Sequence, residues 1–487
     1  MVSRPLRLRI SRLGPEDRLI RSLPPNLQSN LMDIPPEQLE ICLKVLQQIS
    51  DDPSLIEQHE PIKKLIVKIY QKNREISRRA KRAEDRKLKE TTMVVQTQRQ
   101  QQFITLSPDL GENSNHLNQS IRCYICKRNY TQIHFFYHLL CPDCAKYNYQ
   151  KRSQRTNLTG RVALVTGGRI KIGYQVVLRL LRDGARAIVT TRFPYDCAYR
   201  FSLEADFNQW RDRLQIHGLD LRNISAVEAF VHHLRQTESA LDILINNAAQ
   251  TIKRPLAFYQ HLLDQEQNVL ERLSVEAQAL LSGNHHSNSS LETQIDRSQD
   301  LPALVNRYFP LHTFDADGQQ LDLRPINSWL LKLDRVSPIE LVEVQLVNAI
   351  APFILNSQLK PLLMRSPFER RFIINVSAME GQFNRDSKTA YHPHTNMAKA
   401  ALNMMTRTSA SDYAQDNIFM NSVDTGWITD ENPYPKRTST QSKQGFYTPL
   451  DIIDGMARIY DPIVQGIENP DTPMFGYFLK DYLPYPW

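Results

Sequence analysis

The sequence lacks what several classes of protein require. No apolar run approaches the roughly 20 residues that a bilayer-spanning helix needs; the longest, such as Val162–Val165 and Ile243–Ile245, are strand-sized. No apolar stretch of signal-peptide length follows the basic start MVSRPLRLRISRLGPEDR, so a cytoplasmic protein with no membrane contact is the expectation. Cysteine is scarce, with six residues among 487, and four of these fall between positions 123 and 144. In a chain expected to stay reduced, such clustering points to a metal rather than to disulfides. Cys42, in a helical pattern, and Cys197, just after a predicted strand, read as packing residues. A uniform charge surplus is missing too. The net +8 divides into 27 Lys/Arg against 16 Asp/Glu in residues 1–160, and 33 against 36 in the remainder. Any pull on nucleic acid therefore belongs to the front third, and it rests on charge alone.

What is present reads as four segments: a basic helical region at 1–106, a polar linker at 107–120, a zinc-binding module at 121–157, and a large α/β domain at 158–487. Asp33 before Pro35-Pro36-Glu37 marks a helix start with Asp as N-cap. A second helix is predicted from about Pro61, with Ile62, Leu65, Ile66 and Ile69 on one face. Its basic continuation through Ser77–Arg82 runs to about Gln102 and reads as a solvated face; nucleic-acid binding is disfavoured. Strands are predicted at Val162–Thr166, Ala187–Thr191, Ile216–Asp220, Ile243–Asn246, Arg371–Val376 and Phe419–Asp424, with helices between them. That alternation predicts a doubly wound parallel sheet covered on both faces. An insertion at about 256–335, with a polar stretch at Ser282–Ser298, breaks the rhythm.

Cys123-x-x-Cys126 and Cys141-x-x-Cys144, fourteen residues apart, supply four thiolates from two tight turns. That set suits a closed tetrahedral structural Zn2+ site. The aromatic segment between the pairs is long enough for a hairpin, and a helix is predicted after Cys144, a treble-clef-like arrangement. His134 and His138 are alternative ligands. With no open coordination position, the module is expected to stabilise a small fold and offer a surface to a protein partner.

Thr166-Gly167-Gly168-Arg169-Ile170-Lys171-Ile172-Gly173 follows a strand and opens a helix. That is the setting in which backbone N–H groups and a helix N-terminus face a pyrophosphate. Asp220, followed by Leu221, ends the third strand, where it can accept from an adenine amino group. Asn246-Asn247-Ala248-Ala249 ends the fourth. Asn348 stands in VNAIAPF, Lys399 in MAKAALNMMTR, and Gly426-Trp427-Ile428 follows the sixth strand. With this ordered set, residues from about 158 onward resemble the short-chain dehydrogenase/reductase family. The resemblance implies a Rossmann fold, a nicotinamide cofactor, hydride transfer on a carbonyl/alcohol pair, an Asn–Ser–Tyr–Lys catalytic set and a homo-oligomer. Arg192, where an acidic residue would bind an unphosphorylated ribose, favours NADP(H) over NAD(H), and Arg169 and Lys171 add positive charge to the turn.

Three positions depart from the family pattern. Lys171 replaces the middle glycine of TGxxxGxG. The catalytic serine position falls on Ala378, with Ser377 one residue earlier. Thr395 stands four residues before Lys399, where the family places its tyrosine. Tyr391 is the expected substitute acid, on a loop because Pro393 starts the helix no earlier than about His394. His392 and His394 are alternative donors, Lys399 is expected to hold the ribose, and Asn348 a proton-relay water. The expected function is an NADP(H)-dependent oxidoreductase with the insertion as substrate lid; the alternative is a catalytically silent NADP(H) sensor or scaffold.

Overall fold

The computed structural model describes residues 35–100, 115–268, 273–281, 307–315, 317–385, 388–469, 471 and 473–487. Two compact units divide the chain, Met1–Arg82 and Ala83–Trp487. In the first, α1 (Pro36–Asp51) and the start of α2 (Glu60–Glu90) bury no residue. The N-cap of α1 is Pro35, without a side-chain capping bond, rather than the predicted Asp33, which lies outside the described residues. Cys42 is exposed rather than packed, because α1 has no described neighbour over that face.

The second unit opens with the end of α2 and with α3 (Met93–Gln100). The helix predicted as continuous to Gln102 breaks at Thr91-Thr92, because Val94 and Val95 turn inward and are fully buried. β1 (Asn115–Arg122) and β2 (Asn129–Ile133) form an antiparallel hairpin, so the second half of the predicted linker is a strand. α4 (Pro142–Arg152) follows directly on Cys141, with Pro142 in its first turn.

The large sheet runs in the order β10-β9-β8-β7-β6-β3-β4-β5. Its strands are β3 (Val162–Thr166), β4 (Arg186–Thr191), β5 (Leu214–Gly218), β6 (Ile243–Asn246), β7 (Arg371–Ser377), β8 (Ile418–Asp424), β9 (Phe478–Lys480) and β10 (Leu483–Tyr485). All pairings are parallel except β9 with β10. The six predicted strands are present within two residues at each end. The two C-terminal strands, three residues each, are too short for a periodicity to reveal.

Helices cover both faces. α5 (Lys171–Arg182), α6 (Pro194–Ser202) and α12 (Ile452–Glu468) bury Val176, Val177, Phe201, Ile459 and Tyr460 in one core with alternate strand residues. α7 (Ile224–Thr237), α9 (Pro338–Gln358) and α10 (Pro393–Gln415) form the other, around Phe230, Leu355 and Met420. α9 was not foreseen as one long apolar helix, because Glu340, Glu343 and Asn348 interrupt its hydrophobic pattern. It is long and apolar enough to cross a membrane, with a mean hydropathy of 1.5, yet half of that stretch is buried inside the fold. It packs against α10, and Glu340, Glu343, Asn348 and Asn356 are among its buried residues. α8 (Gln260–Asn268) belongs to the insertion, and α11 (Tyr434–Gln444) to the stretch after β8. Ser282–Ser298 lies outside the described residues.

The sheet reverses direction of growth between β3 and β6, and such a switch point opens a crevice at the carboxyl ends of the strands. Two glycines set its floor. Gly167 adopts φ +70°, and a Cβ there would stand 2.9 Å from Ala248 Cα. At Gly173 a Cβ would meet Gly167 O at 2.3 Å and Asn247 Nδ2 at 2.4 Å, neither of which can yield without opening the turn. Gly173→Ala is therefore expected to lower stability by about 1–3 kcal/mol, read as a lower urea midpoint with an unchanged slope.

Candidate functional site

The crevice is built from the turn after β3. Asn247 fastens it: its Nδ2 donates to Thr166 O (3.0 Å) and Gly167 O (3.1 Å). The backbone N–H groups of Asn247 and Ala248 both donate to Thr166 Oγ1 at 3.0 Å. Asn247 and Ala248 thus hold the turn's shape from the neighbouring strand. Ile170, the N-cap of α5, makes no side-chain capping bond, so first-turn N–H groups are left for a ligand. Lys171 adopts φ +55°, the left-handed conformation in which the family pattern has glycine. A non-glycine residue there costs about 1–2 kcal/mol. Its Nζ lies 3.6 Å from Asp317 Oδ2, a carboxylate of the insertion whose pKa burial raises.

Arg169 departs from expectation. Its NH1 pairs with Asp196 Oδ2 at 2.5 Å, with both side chains buried, so its charge is neutralised inside the protein. Asp196 also accepts from Arg200 Nε (2.7 Å). Glu266 of α8 accepts from the N–H groups of Tyr195 (3.2 Å) and Asp196 (3.0 Å), capping α6 from the insertion. Burial pushes the Glu266 carboxyl up to about 7. Arg192 lies over the Tyr259 ring with Cζ 4.5 Å from its centroid, and over Phe193 at 5.4 Å. Asp220 is gripped by Arg222 through Nε (3.1 and 3.0 Å) and NH2 (2.5 Å), and accepts its backbone N–H at 2.9 Å. Its oxygens therefore reach an adenine only alongside that fork. Leu221 is buried next to it.

At the ends of β7 and β8 stands a second group of polar residues. Lys399, on the first turns of α10, is buried and donates from Nζ to Val376 O at 2.7 Å. Burial pulls its pKa down to about 8. Thr395, one turn earlier, is buried, and its Oγ1 has no partner. Asn348 sits in a π-helical turn, Leu346–Ile350. Its Oδ1 accepts from Gln250 N (2.7 Å) and its Nδ2 donates to Gln250 O (3.1 Å), so the strand end after Asn247 is tied to α9. Ser377 donates to Asn403 Oδ1 at 2.6 Å and is buried, which commits the hydroxyl to α10. Asp424, paired with Ser377 in register, is buried, and burial pushes its carboxyl up to about 6.

Tyr391 lies before α10, as predicted, and is 38% exposed. α10 begins at Pro393, with His392 as its N-cap at φ +44°. His392 stacks on Trp329 of the insertion (3.8 Å, 6°), and its ring meets Trp329 O at 2.9 Å. His394 is buried, with Nε2 3.3 Å from Glu340 Oε1, an ion-pair distance without hydrogen-bond alignment. Both histidines are thus held by the protein, and Tyr391 is the freer group.

The four cysteine sulfurs lie within 4.8 Å of one another. The histidines stand apart from them: His134 Nδ1 accepts from Phe136 N (3.1 Å), and His138 Nε2 meets Tyr447 O (3.3 Å). The cysteine module is not a bead on a string. Its core of Cys123, Tyr137, Leu140 and Cys141 is continuous with Ile428 and Leu450, and Ile172 of the phosphate turn packs against it. Ile428 is therefore a core residue. Tyr124, between the first two cysteines, accepts the N–H of Trp427 (3.0 Å), beside Gly426 at φ +81°. Arg152 clasps Asp451 (2.6 and 3.0 Å) and Asp454 (3.0 Å), and Tyr137 donates to Asp454 at 2.5 Å. The CxxC spacing announced the cysteines, but no sequence signal marked Tyr124, Arg152, Asp317 or Glu266.

Over 361 residues the chain is 34% identical to an uncharacterized protein of Acanthamoeba polyphaga mimivirus, covering 71% of this chain and 72% of that one. Residues 161–277 match the short chain dehydrogenase family, and residues 332–444 match the family described as Enoyl-(Acyl carrier protein) reductase. The chain belongs to the short-chain dehydrogenase/reductase family. A short-chain dehydrogenase/reductase from Pyricularia grisea is 34% identical over 105 residues, which is 20% of this chain and 41% of that protein. Among solved structures, NADPH-bound carbonyl reductase from chicken fatty liver aligns with a TM-score of 0.41 at 18% identity, covering 69% of this chain and all of that one. In this family member the dehydrogenase fold carries an added wall, and its strength is measurable. Arg152→Met leaves Asp451 and Asp454 buried without their cation, which is expected to cost about 3–5 kcal/mol in urea unfolding.

Proposed function

We propose that this protein is an NADP(H)-dependent oxidoreductase acting on a small-molecule carbonyl/alcohol pair, with a structural zinc ion in the four-cysteine cluster. The observation that carries the reading is the uncapped glycine turn at the sheet's switch point, with the buried Lys399 held at the end of β7. The close packing of Gly167 on Ala248 and of Gly173 on Gly167 and Asn247, which leaves no room for a Cβ, holds the turn tight, and the uncapped start of α5 suits a pyrophosphate. Arg192, stacked on Tyr259, supports the phosphorylated cofactor over NAD(H). Four thiolates within 4.8 Å suit a closed tetrahedral zinc site. A reducing compartment such as the cytoplasm suits the free cysteines.

The nicotinamide cofactor supplies the hydride chemistry. The chain's own residues do the rest. Backbone N–H groups at the start of α5 and the Lys171 ammonium would hold the phosphate oxygens. Lys399, held by Val376 O, would hold the ribose hydroxyls. Tyr391 passes a proton from its phenol oxygen to the substrate oxygen, replacing the acid missing at Thr395. Asn348 positions the backbone after Asn247 and, at its π turn, a water that resupplies that proton. The insertion, through Trp329 and Asp317, covers the crevice.

The second reading, a silent NADP(H)-binding sensor, draws its support from Ser377, whose hydroxyl is committed to Asn403, and from Thr395. Oxidation of NADPH against a panel of ketones and aldehydes separates the two. The oxidoreductase reading expects turnover that falls by about 10²–10⁴-fold in Tyr391→Phe with NADPH binding retained. Binding without turnover in the wild type supports the sensor. Lys399 adds a pH signature. Its cation is present below about 8 and lost above it. NADPH affinity is therefore expected to fall as pH rises through that value, and to be flat across it in Lys399→Met.

A further inference from the structure

We propose that α2 pairs in parallel with α2 of a second copy of this chain, as a short two-stranded coiled coil. The interface implied by family resemblance lies on the dehydrogenase domain and is a separate matter. The inference starts from spacing. Ile62, Ile66, Ile69, Asn73, Ile76, Ala80 and Ala83 alternate intervals of four and three residues, the 3.5-residue period of a supercoil seam. Ile66, Asn73 and Ala80 take the a positions; Ile62, Ile69, Ile76 and Ala83 take d.

Among the described residues the seam is exposed from Ile69 onward, and Ile62 and Ile66 are half-buried. Ile69 is 64% exposed and Ile76 45%, and the flanking Leu65 and Tyr70 are 58% and 66% exposed. Asn73 and Ala80 are exposed as well. A helix of 31 residues that buries none of its isoleucines gains nothing from its own amphipathic face. A single asparagine at an a position in an otherwise apolar seam fits pairing with a copy of itself, where two asparagine amides meet and fix the register.

Charge selects both the occupant and the direction. The g positions are Leu65, Lys72 and Arg79; the e positions are Lys63, Tyr70, Ser77 and Glu84. In a parallel in-register pair, each g side chain faces the e side chain five residues on in the second copy. Leu65 then meets Tyr70, Lys72 meets Ser77, and Arg79 meets Glu84, with no like-charge contact. Reversing one helix brings g against g and sets Lys72 and Arg79 against each other. Lys64, Lys68, Arg74, Arg78 and Lys81 occupy b, c and f positions on the outer face. Their mutual repulsion is screened by salt, so association is expected to tighten as ionic strength rises.

Light scattering of the full chain across a concentration series tests this. Ile69→Glu/Ile76→Glu is expected to weaken association by at least about a hundredfold, halving the mass found for the wild type. Both side chains are exposed, so the fold should persist, and unchanged circular dichroism checks that it does. Direction is read from a disulfide. In a Cys42→Ser background, Asn73→Cys is expected to cross-link on oxidation, because an a residue faces its own counterpart, whereas Arg78→Cys on the outer face is not. A monomeric wild type, a mass unchanged by the double substitution, a three-stranded assembly, or equal cross-linking at positions 73 and 78 would each overturn the proposal.

Discussion

The second unit depends on one buried charge cluster. Asp451 and Asp454 stand at the start of α12, joined in a reciprocal cap, and a helix N-terminus stabilises them only in part. Two carboxylates removed from water need a cation, and the chain supplies Arg152 from the last turn of α4. Lys151 repeats the arrangement about two turns further along α12, pairing with Asp461 at 2.5 Å. Arg458 does so in reverse, reaching Asn148 at 2.7 Å. Each of these is a polar contact between a helix of the cysteine module and a helix of the dehydrogenase fold. Neither helix can leave the other without stranding a buried charge.

Because α4 begins at Cys141, the cysteine cluster fixes the end of the helix that carries Arg152. The same cluster fixes the knuckle that carries Tyr124, whose hydroxyl receives Trp427 N–H. The stretch after β8 is therefore shaped from outside the sheet, and Ile428 and Leu450 are core residues of the module as much as of the Rossmann fold. The form of the cysteine cluster and the form of the crevice are thus two readings of one packing arrangement. On the opposite side, the insertion reaches the crevice through Asp317 at Lys171, Glu266 at α6 and Trp329 at His392.

The fold was legible in the sequence because a parallel sheet buried on both faces reads as short apolar runs, as in ALVT and AIVTT. The glycine turn was legible because Gly167 and Gly173 stand where the packed backbone leaves no room for a side chain. What could not be read was the destination of charge. Arg169, Lys171 and Arg192 are three cations around one predicted phosphate site, yet Asp196, Asp317 and Tyr259 engage them from positions 27, 146 and 67 residues later. No local pattern encodes such distant partners. The place of Tyr391 on the loop before α10 was legible from Pro393, since proline sets where the helix can begin. The burial of Ser377 against Asn403 was not, because it depends on which face of β7 α10 covers.

The packing of Ile172 and Ile428 against the cysteine module couples that module to the dinucleotide crevice. Calorimetric titration of NADPH into the wild-type chain and into Cys123→Ser/Cys126→Ser, with metal content measured on both, tests it most directly. Loss of the bound metal together with at least a tenfold loss of NADPH affinity is the predicted result. A folded variant that has lost its metal and binds NADPH as tightly as the wild type would contradict the account.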